Sequence, residues 1–164
     1  MVVGSFASTF HGEPRTTRDI DIVVQADSRT ITKFVESLPE SEWYVDADAA
    51  RDAHAHNSMF NVIDIQSGWK VDVICMRTGA FAKSEFSRRL PADILGARVF
   101  IASAEDTILA KLSWCRDSSS ERQLRDVAGI VSSIGERLDR EYLNYWIDEL
   151  GLAALWLQVS SESE

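Results

Sequence analysis

The stretch Asp19-Ile20-Asp21-Ile22 constrains this chain more than any other. Successive side chains on a strand alternate, so Asp19 and Asp21 share one face while Ile20 and Ile22 share the other. The isoleucines mark their side as the buried one. Two acids next to each other on a packed strand repel, and a fold seldom keeps such a pair without a counter-ion. The simplest counter-ion is a divalent cation held through hard carboxylate oxygen. Lys70-Val71-Asp72-Val73-Ile74 offers a third acid in another strand-like run. Upstream, Gly4-Ser5 is separated from Asp19 by thirteen residues. Glycine lets a backbone approach a phosphate without a Cβ, and Ser5 adds a hydroxyl to the amides of a helix that follows. Alone, a Gly-Ser pair is more often an ordinary tight turn. Joined to three strand-borne acids, it points to phosphoryl chemistry at a pair of metal ions.

In order and spacing, Val3-Gly4-Ser5, Asp19-Ile20-Asp21 and Asp72 resemble the signature of the nucleotidyltransferase superfamily typified by DNA polymerase β. The flanking His11-Gly12-x-x-Arg15-x-Thr17-x-Asp19-Ile20-Asp21 narrows the likeness to small nucleotidyltransferases related to AbiEii-type toxins. It runs from Val2 to about Trp156. The resemblance implies that Asp19, Asp21 and Asp72 are catalytic ligands of magnesium or manganese. It also implies that Gly4 and Ser5 hold nucleotide phosphates, with Ser8 one turn on either facing the nucleotide or packing inside. Arg15 matches the usual arginine of the pattern, suited to neutralising a phosphate or pairing with an acid. Arg18 stands where the pattern is looser. Lys111, with Arg125-Asp126 on the next helix, matches a further lysine and basic-acidic pair. Lys111 would reach the triphosphate, and Asp126 would orient it or help activate the acceptor. On the residues alone, Lys111 edges an apolar stripe of Ile108, Leu109 and Leu112, and reads equally as a snorkelling lysine with a surface ion pair nearby.

The activity so implied is transfer of a nucleoside monophosphate from an NTP to an acceptor hydroxyl. An RNA end, a protein side chain or a small molecule would each serve as acceptor. Two rival readings stand beside it. One is a non-catalytic nucleotide- or partner-binding module on the same fold. The other is the toxin of a toxin–antitoxin pair, held in check by a cognate protein.

Charge bears on the acceptor. The chain carries 17 basic and 26 acidic side chains, a net charge of −9, which disfavours broad binding along a nucleic-acid backbone. The sign is uneven: from Arg77 to Arg125 nine basic residues face six acids, whereas Glu36 to Asp52 holds six acids and one arginine. A local basic rim and ordinary solvated charge explain that unevenness equally well. With no apolar run near the roughly 20 residues of a membrane span, no membrane partner is expected. Cys75 and Cys115, with no signal-like start, suit a reducing cytoplasm and a core-filling role.

At 164 residues and 45% hydrophobic, the chain suffices for one domain of α+β class, a mixed sheet with flanking helices and a C-terminal helical half. The expected divisions are a sheet core over 1–102, a helical half over 103–159 and a frayed tail over 160–164. Strands are expected at 1–3, 19–24, 59–66 and 69–76, the last two joined by a two-residue hairpin at Ser67-Gly68. Weaker strand signals lie at 86–90 and 98–102. Ile31, Phe34, Val35 and Leu38 mark a helix over 28–38. Further helices are expected over 104–115 with Ser103 as cap, 120–134, 139–150 and a turn or two after Gly151. His11-Gly12 reads as a helix end, and His54-Ala55-His56 as a loop lacking the further ligands of a zinc site. The five tryptophans read as packing residues, with Trp114 beside Lys111 the exception to watch. Strands commonly run about 5–6 residues, so Met1-Val2-Val3 is short for a central strand. The expectation is that Met1 is an internal methionine, and that the chain forms a homodimer or borrows a sheet edge.

Overall fold

A computed structural model describes residues 1–12, 14, 16–94 and 96–161. Its seven strands are β1 (Val2–Val3), β2 (Asp19–Val24), β3 (Trp43–Val45), β4 (Met59–Asp64), β5 (Lys70–Cys75), β6 (Leu90–Ile94) and β7 (Ala97–Ile101). They form one mixed sheet in the order β3-β4-β5-β2-β1-β7-β6. The helices are α1 (Gly4–His11), α2 (Ser28–Ser37), α3 (Ala47–His56), α4 (Ala80–Ser87), α5 (Ala104–Ser118), α6 (Glu121–Ile134), α7 (Arg140–Glu149) and α8 (Ala153–Ser161). This is the α+β architecture that the alternation of strand and helix periods implies.

The two residues of β1 pair on both sides, antiparallel to β2 and parallel to β7. The α-amino group of Met1 extends the ladder by donating to Val23 O at 2.9 Å. Strands β2 and β5 run parallel, with Asp19 opposite Lys70 and Asp21 opposite Asp72. Period-two alternation then sorts the faces. Phe60, Val62, Val73 and Cys75 are buried against Ile31 of α2 and Ala50 and Ala53 of α3. The opposite face carries the three acids and is more open, with Tyr44 58% and Met59 45% exposed. The largest core lies in the helical half, where Ile108, Leu109, Leu112, Val127, Ile130 and Leu143 are fully or almost fully buried.

Most helix limits follow their sequence signals. Ser103 caps α5 by accepting from Asp106 N, and Gly12 follows the last residue of α1. Three expectations fail. His54 and His56 lie on a helix, not a loop, because Asp46 caps α3 by accepting from Asp48 N and Ala49 N. Alanine is the best helix former, and only Ala50 and Ala53 of α3 need burial. The strand signal at 86–90 covers the end of α4 at Phe86 and Ser87, a turn, and only the first residue of β6 at Leu90; Ser84 Oγ of α4 lies 2.9 Å from Tyr142 OH and ties that helix to α7. The two-residue hairpin is replaced by a longer connection between Asp64 and Lys70. Asp64 accepts from Gln66 N and Ser67 Oγ, and those contacts lift the residues out of the ladder. Among the described residues, no helix is long and apolar enough to cross a membrane.

Candidate active site

The chain turns from β1 into α1 at Gly4, whose φ of +63° is one that residues with a Cβ rarely adopt. A side chain here would also overlap Asp21 Oδ2. Glycine is therefore needed twice, for the turn and for the approach of a carboxylate from β2. The next amide, Ser5 N–H, donates to Asp21 and opposes the loss of its charge. The first turn of α1 thus offers its donors to an anion, and in this structure the anion is Asp21. Ser8 is 5% exposed and its Oγ donates to Ser5 O at 3.0 Å, so its hydroxyl braces the turn from within.

Asp21 and Asp72 are register partners on neighbouring parallel strands, whose backbones stand about 4.8 Å apart. Burial, first, and the Asp72 carboxylate, second, raise the pKa of Asp21 above the usual carboxylate range. Asp72 is 7% exposed, and both its oxygens are engaged. Asn61 Nδ2 donates to Oδ1 from β4, and Lys70 Nζ donates to Oδ2 at 3.1 Å. Lys70 also lies 3.7 Å from Asp19 Oδ1. The hydrogen bond to Asp72 and the charges of all three acids raise its pKa, against the opposing effect of burial. Among the described residues, no three His, Cys, Asp or Glu side chains stand close enough to grip an ion as they are. The donor chemistry nevertheless suits a hard divalent cation: carboxylate oxygens from two paired strands, in mutual repulsion, with an ammonium already drawn in among them.

Lys111 and Asp126 meet between α5 and α6. Lys111 Nζ reaches from α5 to Asp126 Oδ2 at 2.7 Å and Gln123 Oε1 at 2.9 Å, both on α6. The lysine is 6% exposed. The first turn of α6 links this pair to the β1–α1 turn, because Arg122 Nη2 lies 3.5 Å from Ser5 Oγ. Trp114, one turn along α5 from the buried lysine, is 59% exposed. Arg18 is exposed just before β2, and its carbonyl accepts from Lys70 N. Arg15 lies outside the described residues.

Three residues at this site escape a reading of motifs: Lys70, Asn61 and Arg122. Alternation does put Lys70 on the face of Asp72. A two-residue hairpin would set Ile63 opposite Asp72, whereas the longer connection sets Asn61 there. Nothing in the local sequence marks Arg122.

A second cluster of acids lies where α5 begins. Asp106 is 0% exposed and accepts from Ser103 Oγ at 2.7 Å and Tyr142 OH at 2.6 Å. Glu105 accepts from Asp139 N at 3.0 Å, and Asp139 in turn caps α7 by accepting from Tyr142 N. Arg88 lies 3.4 Å from Glu105 Oε2, 3.5 Å from Asp106 Oδ2, and stacks 3.8 Å from the Tyr142 ring centre. Burial raises the pKa of Asp106, and burial with Asp106 nearby pushes Glu85 of α4 up to about 7.

Comparison with known proteins bears on family and fold. The family model described as "Nucleotidyltransferase of unknown function (DUF6036)" matches residues 1–158. No curated protein matches in sequence. Among solved structures, the chain is similar to an antigenic nucleotidyltransferase-like protein from Paracoccidioides brasiliensis, with a TM-score of 0.52 and 17% identity. The alignment covers 99% of this chain and 84% of that one, and at such identity the likeness is one of fold.

Proposed function

The chain belongs to this nucleotidyltransferase family, and we propose that it moves a nucleoside monophosphate from an NTP to an acceptor hydroxyl at Asp19, Asp21 and Asp72. The observation that carries this reading is the pairing of Asp21 with Asp72 in register, against the Gly4–Ser5 turn. Asp19 and Asp21 project from β2 and Asp72 from β5, so a cation between the strands would draw ligands from both. Magnesium or manganese bound there supplies an activated acceptor hydroxyl and neutralises charge that develops on the phosphates. The protein's own share is placement. Gly4 and Ser5 present amides to the phosphates, and Arg122 stands within reach of Ser5 as a positive neighbour for them. Asn61 fixes the orientation of Asp72. Lys111 and Asp126 hold α5 to α6, and so set where the first turn of α6 lies relative to that amide cradle.

The likeness of the His11-to-Asp21 stretch to AbiEii-type toxins supports an RNA acceptor and a cognate inhibitory protein. The net charge of −9 argues that any RNA is held locally rather than along its backbone. The test is incubation with magnesium, cell extract and each NTP labelled at the α-phosphate. Label should pass to one class of acceptor, and Asp21→Asn should abolish it. Label passing to an acceptor only in a parallel incubation with γ-labelled NTP would make the protein a kinase, and equal α-labelling by Asp21→Asn would remove the acids from the mechanism.

A further inference from the structure

Lys70 stands within the cluster that the proposed function gives to metal ions. It comes to this place through the β2–β5 register, which puts it opposite Asp19 and two residues before Asp72. Its Nζ lies 3.1 Å from Asp72 Oδ2 and 3.7 Å from Asp19 Oδ1. The Asp72 side chain is 9% exposed, the Lys70 side chain 35% and the Asp19 side chain 56%, so the ammonium lies towards the solvent side of the buried acid. Asn61 occupies the other oxygen of Asp72. An ion that approaches either oxygen of Asp72 meets one of these two donors, and on the side of Asp19 that donor is Lys70. Asn61 is short and fixed by its strand, whereas lysine has a flexible four-carbon stem.

We propose that Lys70 is the resident counter-ion of the acids, that a divalent cation displaces it, and that the displaced ammonium then binds the polyphosphate of the nucleotide. This rests on the metal reading above and goes beyond it. Charge balance supports the order of events. Three carboxylates and one ammonium leave two negative charges, which attract a cation. Two divalent cations reverse that excess to two positive charges, and a triphosphate anion complements the reversed site. An ammonium and a divalent cation about 4 Å apart repel enough to alter affinity by about tenfold or more, even at high dielectric. Lys70 thus weakens binding of metal alone and strengthens binding of metal together with nucleotide. The device ties occupation of the metal site to the presence of substrate.

The experiment titrates Mn2+ into the full chain without nucleotide, following free Mn2+ by electron paramagnetic resonance. Wild type is compared with Lys70→Met, Lys70→Gln and Lys70→Arg, each checked for fold by circular dichroism. Removing the charge should tighten Mn2+ binding about tenfold in Lys70→Met and Lys70→Gln, while Lys70→Arg stays near wild type. Affinity for the four Mn–NTP complexes should shift the opposite way, weakening about tenfold in the neutral variants. A lysine with a merely structural role would not move the two affinities in opposite directions. Unchanged or weaker Mn2+ binding in the neutral variants overturns the proposal while leaving the metal reading intact. Failure of wild type and variants alike to bind Mn2+ removes both. Loss of fold in both neutral variants would make Lys70 a structural residue and overturn the proposal as well.

Discussion

Asp106 and Asp72 are both buried carboxylates, 0% and 7% exposed, yet the groups around them differ in kind. Asp106 accepts from the Ser103 hydroxyl and the Tyr142 phenol, and the backbone of α5 and α7 is woven into the same cluster through caps at Ser103 and Asp139. Its donors are mostly neutral groups held by helix ends, with Arg88 alongside. Asp72 has Asn61 on one oxygen and the ammonium of Lys70 on the other, with Asp21 as its register partner and Asp19 next along that strand. The first cluster is answered by the fold itself. In the second, acids are crowded together on the open face of a sheet and answered by one lysine. Under the proposed function, the difference separates a structural buried acid from one kept for a ligand. The count of acids does not separate them; the source and mobility of their donors does.

The sharpest way to break this comparison is to exchange charge for amide in each place. Asp72→Asn should lower nucleotidyl transfer about a thousandfold, beyond the roughly hundredfold that outer-shell changes reach at metal sites. Its melting temperature should hold or rise, since a carboxylate leaves a repulsive group; single-turnover rates and thermal melts check both. Asp106→Ala should behave in reverse. It strands Arg88, Tyr142 and Ser103, and should cost about 3 kcal/mol in urea unfolding while transfer per folded molecule is unchanged. Loss of activity without loss of stability in Asp106→Ala would erase the distinction between the clusters.

A smaller effect sharpens the account of the helical cluster. The pKa of Glu85 is raised from 4.5 to about 7, so between those values the folded chain holds a proton that the unfolded chain has released. The native state binds more protons there, and stability falls as pH rises through that window. Glu85→Gln should remove this contribution and make the protein about 1–2 kcal/mol more stable than wild type at pH 8, with little difference at pH 4. Urea unfolding at the two pH values measures it.

How far the sequence reaches is plain from particular residues. The faces of β2 and β5 were legible because period-two alternation needs no knowledge of topology: Ile22 and Val73 go inward, Asp21 and Asp72 outward. The caps at Ser103 and Gly12 were legible because they act within a few residues. The helix α3 was hidden because alanines bury its inner side and leave no large apolar stripe. The partners of Asp72 were hidden for another reason. Its pairing with Asp21 is a parallel contact across a long stretch of chain, and its pairing with Asn61 depends on a turn that the Asp64 side chain reshapes. Lys70 was visible as a neighbour of Asp72, but its reach to Asp19 depends on the same long-range register. Local rules supplied the acids and their face, and tertiary pairing supplied the groups that answer them.

The central claim is that Asp19, Asp21 and Asp72 form a site for divalent cations with nucleotide, and a thermal melt tests it most directly. Millimolar magnesium or manganese with NTP should raise the melting temperature of the wild-type chain, because a ligand that binds only the native state stabilises it by mass action. Asp21→Asn should melt at or above the wild-type temperature without ligand, because it relieves carboxylate repulsion, and should show no rise when metal and NTP are added. An equal rise in wild type and Asp21→Asn would place the metal elsewhere and contradict the account.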